Sequence, residues 1–273
     1  MDALGPRRTG TILKTPVDIT SHELTCARVF ELARRKTPAY ICYATAHMLV
    51  EATRRFEVKD AYKCASIVNP DGTPIAWCLR LMGYRNACRV NGPTSTPILL
   101  REAETLGTPV GFYGGRPDTL VKMERNLIAE YPALKLVYVH SPPFRELSKA
   151  ELAQDIAEIN ASGAQLLFVG LGSPKQEIWM YRNYASLNCV CLGVGAAFEI
   201  LSGEKVFPPE WVQRLGLTWL VRLCQEPRRL ASRNLYSPVF AVMWLAQVGS
   251  HVGRSMFGLS SRKRPTAEGR LSE

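Results

Sequence analysis

Paired cysteines, paired aspartates and clustered histidines are all missing from this 273-residue sequence. Its eight cysteines include no C-x-x-C pair, a scatter that fits buried thiols in a reducing compartment rather than a disulfide framework. Cys189 and Cys191 fall in a run of β character and are expected on opposite faces of it. There is no Asp-x-Asp, and His22, His47, His140 and His251 stand far apart in sequence, so a bound metal is not supported. No apolar run approaches about 20 residues, so no membrane span is expected. The first residues are polar and basic, with Pro6, Arg7 and Arg8, and lack the apolar segment of a secretory signal. Internal repeats are absent, and low complexity is confined to the end of the chain.

What is present is enough for one large α/β domain with an appendage, or for two small domains. A hydrophobic fraction of 47% against 21% charged residues excludes wholesale disorder. The formal net charge of +10 is unevenly placed: from residue 205 on there are 11 Lys/Arg and only 4 Asp/Glu. A basic, apolar-rich end suggests a polyanionic partner such as anionic lipid, a diphosphate or nucleic acid, or else a solvated basic face. The aromatic and basic platform motifs of nucleic-acid binders are not found, so no nucleic-acid partner is expected.

The dominant rhythm is a short apolar run, a Gly/Pro/Asp break, then a helical period. Strands are expected at 39–44, 64–68, 109–113, 134–140, 165–170 and 188–194. Helices are expected at 45–55, 73–81, 117–130 and 148–160, with further helices opening at 173 and 195. Ser148 and Glu151 read as a capping box. Strand–helix alternation means parallel βαβ units with helices on both faces of one sheet, and LLFVG and VCLGV are the continuous apolar runs of buried parallel strands. The rhythm stops near residue 203. A Trp- and Arg-rich helical segment follows Pro208-Pro209, then an apolar stretch at 238–248 with Trp244. That stretch is too short to span a bilayer; it either lies in the headgroup layer or packs on the protein itself or a second subunit. The expected division is a core at 1–203, an Arg-rich helical appendage at 204–257 and a disordered tail at 258–273.

In an open parallel sheet, ligands bind at the carboxyl ends of the strands. Four such ends carry small or special residues, at 69–72, 114–115, 170–176 and 193–197. Each glycine is either a tight βα turn or a close approach to a ligand; four in one sheet argue for a nucleotide-sized anion near helix N-termini. In GLGSPKQE, Ser173 reads as a helix cap, Pro174 as the first helical residue and Gln176 as the third, a capping box. The competing reading has Lys175 and Gln176 facing a nucleotide or a sugar hydroxyl. Asp71 ends an apolar run between Pro70 and Gly72, either as a turn residue or as a working carboxylate. Without a metal, a departing diphosphate needs another cation. Arg222, Arg228, Arg229 and Arg233 supply one, because guanidinium binds phosphate bidentately and stays charged.

The segments GFYGGRPD, INASGAQLLFVGLGSPKQEIWM, CLGVGAAFEILSG and PPEW…GLTWLVRLCQEPRRL together resemble the WecG/TagA/CpsF glycosyltransferases, glycosyltransferase family 26, over roughly residues 10 to 240. The resemblance implies a Rossmann-like core with a membrane-proximal appendage, located in the cytoplasm at the membrane surface. It implies inverting transfer of a sugar from a UDP-sugar to a polyprenyl-diphosphate-linked saccharide, as in cell-wall, capsule and exopolysaccharide synthesis. No cofactor is implied; self-association is open. The family's proposed base matches Asp71, and its diphosphate-holding arginines match Arg222 and Arg229. The expected substrate-lining set is Thr45, Gly72, Arg89, Gly114, Gly115, Gly170, Gly172, Pro174, Lys175, Gln176, Glu177, Gly195 and Ala196, with Arg228 and Arg233 nearby. Two positions depart from the family pattern: Thr45 replaces a usual Asn, and Thr94 a frequent Asp. The alternative reading is a non-catalytic nucleotide-sugar-binding or interaction protein; intact Asp71 and arginines speak against it.

Overall fold

The computed structural model describes residues 4–206 and 236–256. Ahead of the expected rhythm it adds an antiparallel hairpin, β1 (Thr9–Ile12) and β2 (Thr15–Asp18), and a helix, α1 (His22–Arg34). Leu13 and Lys14 form the hairpin turn at φ 46° and 64°, the doubly left-handed geometry that matches strand twist.

From there, strand and helix alternate. β3 (Ala39–Ala44) leads to α2 (Ala46–Arg54) and α3 (Phe56–Cys64); β4 (Ile67–Pro70) leads to α4 (Thr73–Leu81) and α5 (Gly92–Leu106). β5 (Val110–Gly114), α6 (Pro117–Glu130), β6 (Leu136–His140), α7 (Lys149–Ala161), β7 (Leu166–Gly170), α8 (Lys175–Asn183), β8 (Val190–Gly193) and α9 (Ala197–Leu201) follow. β3 to β8 form one six-stranded sheet in the order β4-β3-β8-β7-β5-β6, with every pair parallel. The expected α/β class is therefore the observed one. The strand expected at 64–68 runs later, at Ile67–Pro70, because Cys64 completes α3. Pro70 is tolerated since β4 is an edge strand and needs no ladder N–H there.

Burial on both faces explains the unbroken apolar runs; all six residues of β3 are buried. Tyr40 and Cys42 face a layer with α2, α3, α4, α7 and α8, while Ile41 and Tyr43 face α1, α5, α6 and α9. Cys189 and Cys191 lie on the same face, in the first layer. The expectation of opposite faces fails because residues two apart on a strand share a face. The seven described cysteines are all free thiols. In the second layer Phe112 stacks on Phe168 at 5.0 Å and meets Phe198 edge-on at 5.3 Å, contacts worth about 0.5–1.5 kcal/mol each beyond area burial. The Ser148–Glu151 capping box forms as expected.

The hairpin is latched to the sheet by Asp18, which is only 3% exposed. Its carboxylate accepts both Arg7 Nε and an Arg7 terminal nitrogen at 2.8 Å, and the Val68 backbone N–H at 2.7 Å. Asp18→Ala strands the Val68 donor and the guanidinium together, so it is expected to cost about 3 kcal/mol. Urea unfolding checks this.

The last described helix, α10 (Tyr236–Met256), returns to the core. Phe240 is buried in the first layer, Tyr236 lies edge-on to His47, and Gln247 clasps the β1 turn, accepting from Leu13 N at 2.8 Å and donating to Thr11 O at 2.9 Å. The apolar stretch 238–248 thus packs one side on the protein itself, while Val242 and Leu245 stay exposed. No described helix is long and apolar enough to cross a membrane. The Trp- and Arg-rich segment and the tail, with Arg222, Arg228, Arg229 and Arg233, lie outside the described residues.

Candidate active site

All the candidate residues that are described, Arg89 excepted, sit at or just beyond the carboxyl edge of the sheet. Asp71 follows β4 directly, and its N–H donates to Ala44 O at 2.9 Å, locking the ends of β3 and β4 together. Val90 N donates to Pro70 O at 2.9 Å and brings half-buried Arg89 into the same neighbourhood. Gly72 has φ 133°, a conformation that side-chain-bearing residues rarely adopt, and it turns the chain sharply into α4. Thr45, the residue after β3 as Asp71 is the residue after β4, caps α2 by accepting from Met48 N at 3.3 Å. An Asn at this position would cap equally well, so the departure from the family pattern leaves the helix start intact.

Two polar pairs tie α1 to β4 and to α5. Thr25 donates to Asn69 Oδ1 at 2.8 Å, and His22 Nδ1 meets Ser95 Oγ at 3.1 Å. Among the described residues, Asn69 Nδ2 and Thr94 Oγ1 are buried without a hydrogen-bond partner. Asn69 has a sequence signal, an amide inside a buried apolar strand; His22 and Ser95 have none, since only the tertiary fold pairs them. Burial holds His22 below its ordinary 6.5, with nearby Arg89 adding to the effect and Glu23 opposing it. Its place at the start of α1 also disfavours the charged ring. A depressed pKa means the unfolded chain takes up the proton first. This contribution to stability is complete above pH 6.5 and is lost as pH falls through the lower native value. His22→Gln is expected to flatten the decline of Tm between pH 7 and 5, measured beside the parent chain.

The second cluster surrounds the start of α8. The helix begins at Lys175, and Pro174 is its cap residue, with no side-chain capping bond. The expected capping box from Ser173 to Gln176 therefore does not form. Instead Ser173 Oγ donates to Glu177 Oε1 at 2.8 Å. Gln176 Nε2 donates to Gly193 O at 2.8 Å and to Glu177 Oε1 at 3.0 Å. Those two acceptors fix the amide orientation and leave Gln176 Oε1 beside Gly195, buried and accepting no bond. Gln176 thereby ties the loop before α8 to the loop after β8, where Ala196 caps α9; Lys175 points to solvent. Tyr62, whose hydroxyl donates to Tyr43 O, lies within electrostatic reach of both clusters. Burial pushes its phenol well up, and the charge of Glu177, then that of Asp71, adds to the effect.

The glycines divide into two kinds. The chain leaves β5 toward β6 and β7 toward β8, so the crevice between β5 and β7 is a topological switch point. There a Cβ on Gly114 would stand 2.7 Å from the Gly170 carbonyl carbon, one on Gly170 2.7 Å from the Phe198 ring, and one on Gly115 3.0 Å from the same ring. Packing alone requires these three. Gly172 at φ 76° meets nothing within 4 Å, and Gly195 at φ 57° meets only the Gln176 amide. Their left-handed backbones serve loops that are open at the sheet edge.

The model of the family described as the glycosyl transferase WecG/TagA/CpsF family matches residues 10–252. The chain belongs to this family. It is accordingly a glycosyltransferase, of a family that works in cell-wall and polysaccharide synthesis. The match includes all the strand ends described above, and it continues through Arg222, Arg228, Arg229 and Arg233 and into α10. Among the described residues no three His, Cys, Asp or Glu side chains group to hold a metal ion.

Proposed function

We propose that this glycosyltransferase moves a sugar from a UDP-sugar to a saccharide linked through a diphosphate to a polyprenyl lipid, with inversion. The observation that carries the reading is Asp71 just past β4, its main chain tied to β3, on the same sheet edge as Gly172, Gln176 and Gly195. Asp71 takes the proton of the acceptor hydroxyl as that oxygen attacks the anomeric carbon. The bond from that carbon to the UDP oxygen breaks, and UDP leaves with the electron pair. The open loops at Gly172 and Gly195, with Gln176 and Glu177 behind them, hold the nucleotide sugar. Thr45, which follows β3 as Asp71 follows β4, and Arg89, next to the Val90 bonded to Pro70 O, orient the acceptor. Arg222 and Arg229, from the appendage at 204–257, neutralise the departing diphosphate, with Arg228 and Arg233 nearby. The core at 1–203 binds the donor, and the protein works on the inner leaflet of the cytoplasmic membrane.

Purified protein is incubated with a panel of UDP-sugars and a short-chain polyprenyl-diphosphate monosaccharide, and released UDP is measured. Acceptor-dependent release from one donor is the expected result. A folded protein that releases no UDP with any donor across several acceptors overturns the reading in favour of a non-catalytic binding protein.

A further inference from the structure

α4 leaves the site directly after Gly72. Its inner face, Ile75, Cys78 and Leu79, is buried in the first layer, but its outer face also carries large apolar side chains. Trp77 is 57% exposed and Leu81 74% exposed; four residues apart, they stand one above the other on the helix. Met82 extends the strip. Only about 6 Å of helix rise separates Thr73 from Trp77, so the strip starts close to Asp71. A tryptophan and a leucine left open in line mark an interaction surface rather than a core position.

The chain that carries this strip has charge of one sign. Between Asp71 and Glu102 there is no acidic residue, while Arg80, Arg85, Arg89 and Arg101 are all present. Arg80 and Arg85 are exposed, and Arg80 Nε donates to Ala87 O at 2.8 Å, holding the basic loop against the end of α4. α10, also without an acidic residue, flanks the same hairpin: Gly10 packs on Leu79 and Tyr84, and Gln247 binds Thr11 and Leu13. Exposed apolar side chains including Trp, on a segment that carries arginines and no carboxylate, are what an anionic bilayer surface binds.

We infer that α4 and the basic loop after it dock into the headgroup layer of an anionic bilayer, setting Asp71 at the level of a lipid diphosphate. The inference rests on the lipid-linked acceptor proposed above and assigns the surface that meets the membrane. Trp77 and Leu81 enter the interface, and Arg80 and Arg85 bind lipid phosphates.

The test is flotation of the full chain with vesicles of phosphatidylcholine, with or without an equal part of phosphatidylglycerol. The parent protein is expected to float with the anionic vesicles and much less with the neutral ones. Trp77→Ser with Leu81→Ser is expected to weaken binding about tenfold, and Arg80→Glu with Arg85→Glu by tenfold or more. Trp77, Leu81 and Arg85 are exposed, so unchanged melting shows that the fold is kept; because Arg80→Glu also breaks the bond to Ala87 O, Arg85→Glu alone is run beside the pair and is expected to weaken binding in the same direction. Both double variants are also expected to keep transfer to a detergent-solubilised short-chain acceptor and to lose it on an acceptor embedded in vesicles. Floating like the parent overturns the inference, as does a Trp77/Leu81 variant that loses only self-association in sedimentation velocity; the strip would then meet a second copy. Transfer to the soluble acceptor with no role for α4 on vesicles sinks this inference and spares the proposed reaction. Flotation through α4 with no transfer to any lipid-linked acceptor does the reverse.

Discussion

Asp71→Asn is expected to lower kcat by roughly 10²–10⁴-fold, the contribution of a well-placed general base, while UDP binding stays within about twofold of the parent. The substitution keeps side-chain size and the Asp71 N–H bond to Ala44 O, so the junction between β3 and β4 is preserved. It removes the capacity to accept a proton from the acceptor hydroxyl. The loss should fall on kcat, because the interaction is made as the proton moves and not when the substrates bind. Single-turnover measurement with saturating donor separates the chemical step from product release. A variant with parental turnover takes the base role away from Asp71. A variant that has lost UDP binding as well makes Asp71 a donor contact instead.

Gly114→Ala is expected to damage the fold more than any other single methyl at the sheet edge. At φ 112° the backbone is strained for alanine, and the new methyl meets the Gly170 main chain, which cannot rotate out of the way as a side chain can. Strain of about 1–3 kcal/mol and overpacking of about 1–3 kcal/mol add to about 3 kcal/mol or more. For a chain of this length that lowers Tm by roughly 5–10 °C. Gly172→Ala is the contrast: it also has a left-handed backbone, but open space around it. Its stability cost is expected to stay near 1 kcal/mol, with the main effect on the KM for the nucleotide sugar. Equal destabilisation by the two would contradict the division between packing glycines and open-loop glycines.

That division was not legible in the sequence. GFYGG and VGLG carry similar glycines at similar strand ends, and only the fold shows that Phe198, from a later segment, fills the space beside Gly115 and Gly170. The βαβ rhythm was legible because buried parallel strands are apolar without a break and their helices have clear breaks around them; α4 and α6 start and end where the pattern places them. The β1–β2 hairpin gave no signal, with two four-residue strands, Pro16 within the second and a turn of Leu13 and Lys14 that lacks Gly or Asn. Pro70-Asp71-Gly72 was visible as a candidate, but its neighbours were not. Tyr62, which feels both Asp71 and Glu177, comes from a helix that the pattern did not single out. The reading of Gln176 as the third residue of a capped helix followed local spacing; the structure gives its amide a long-range partner, Gly193, seventeen residues on.

The most direct measurement is the mass and linkage of the acceptor lipid after one incubation with the active UDP-sugar. The account predicts an acceptor heavier by one sugar residue, one UDP released per acceptor converted, and an anomeric configuration opposite to that in the donor. Donor consumed with the acceptor unchanged, or a product that keeps the donor's configuration, would contradict direct displacement by an acceptor hydroxyl that Asp71 deprotonates.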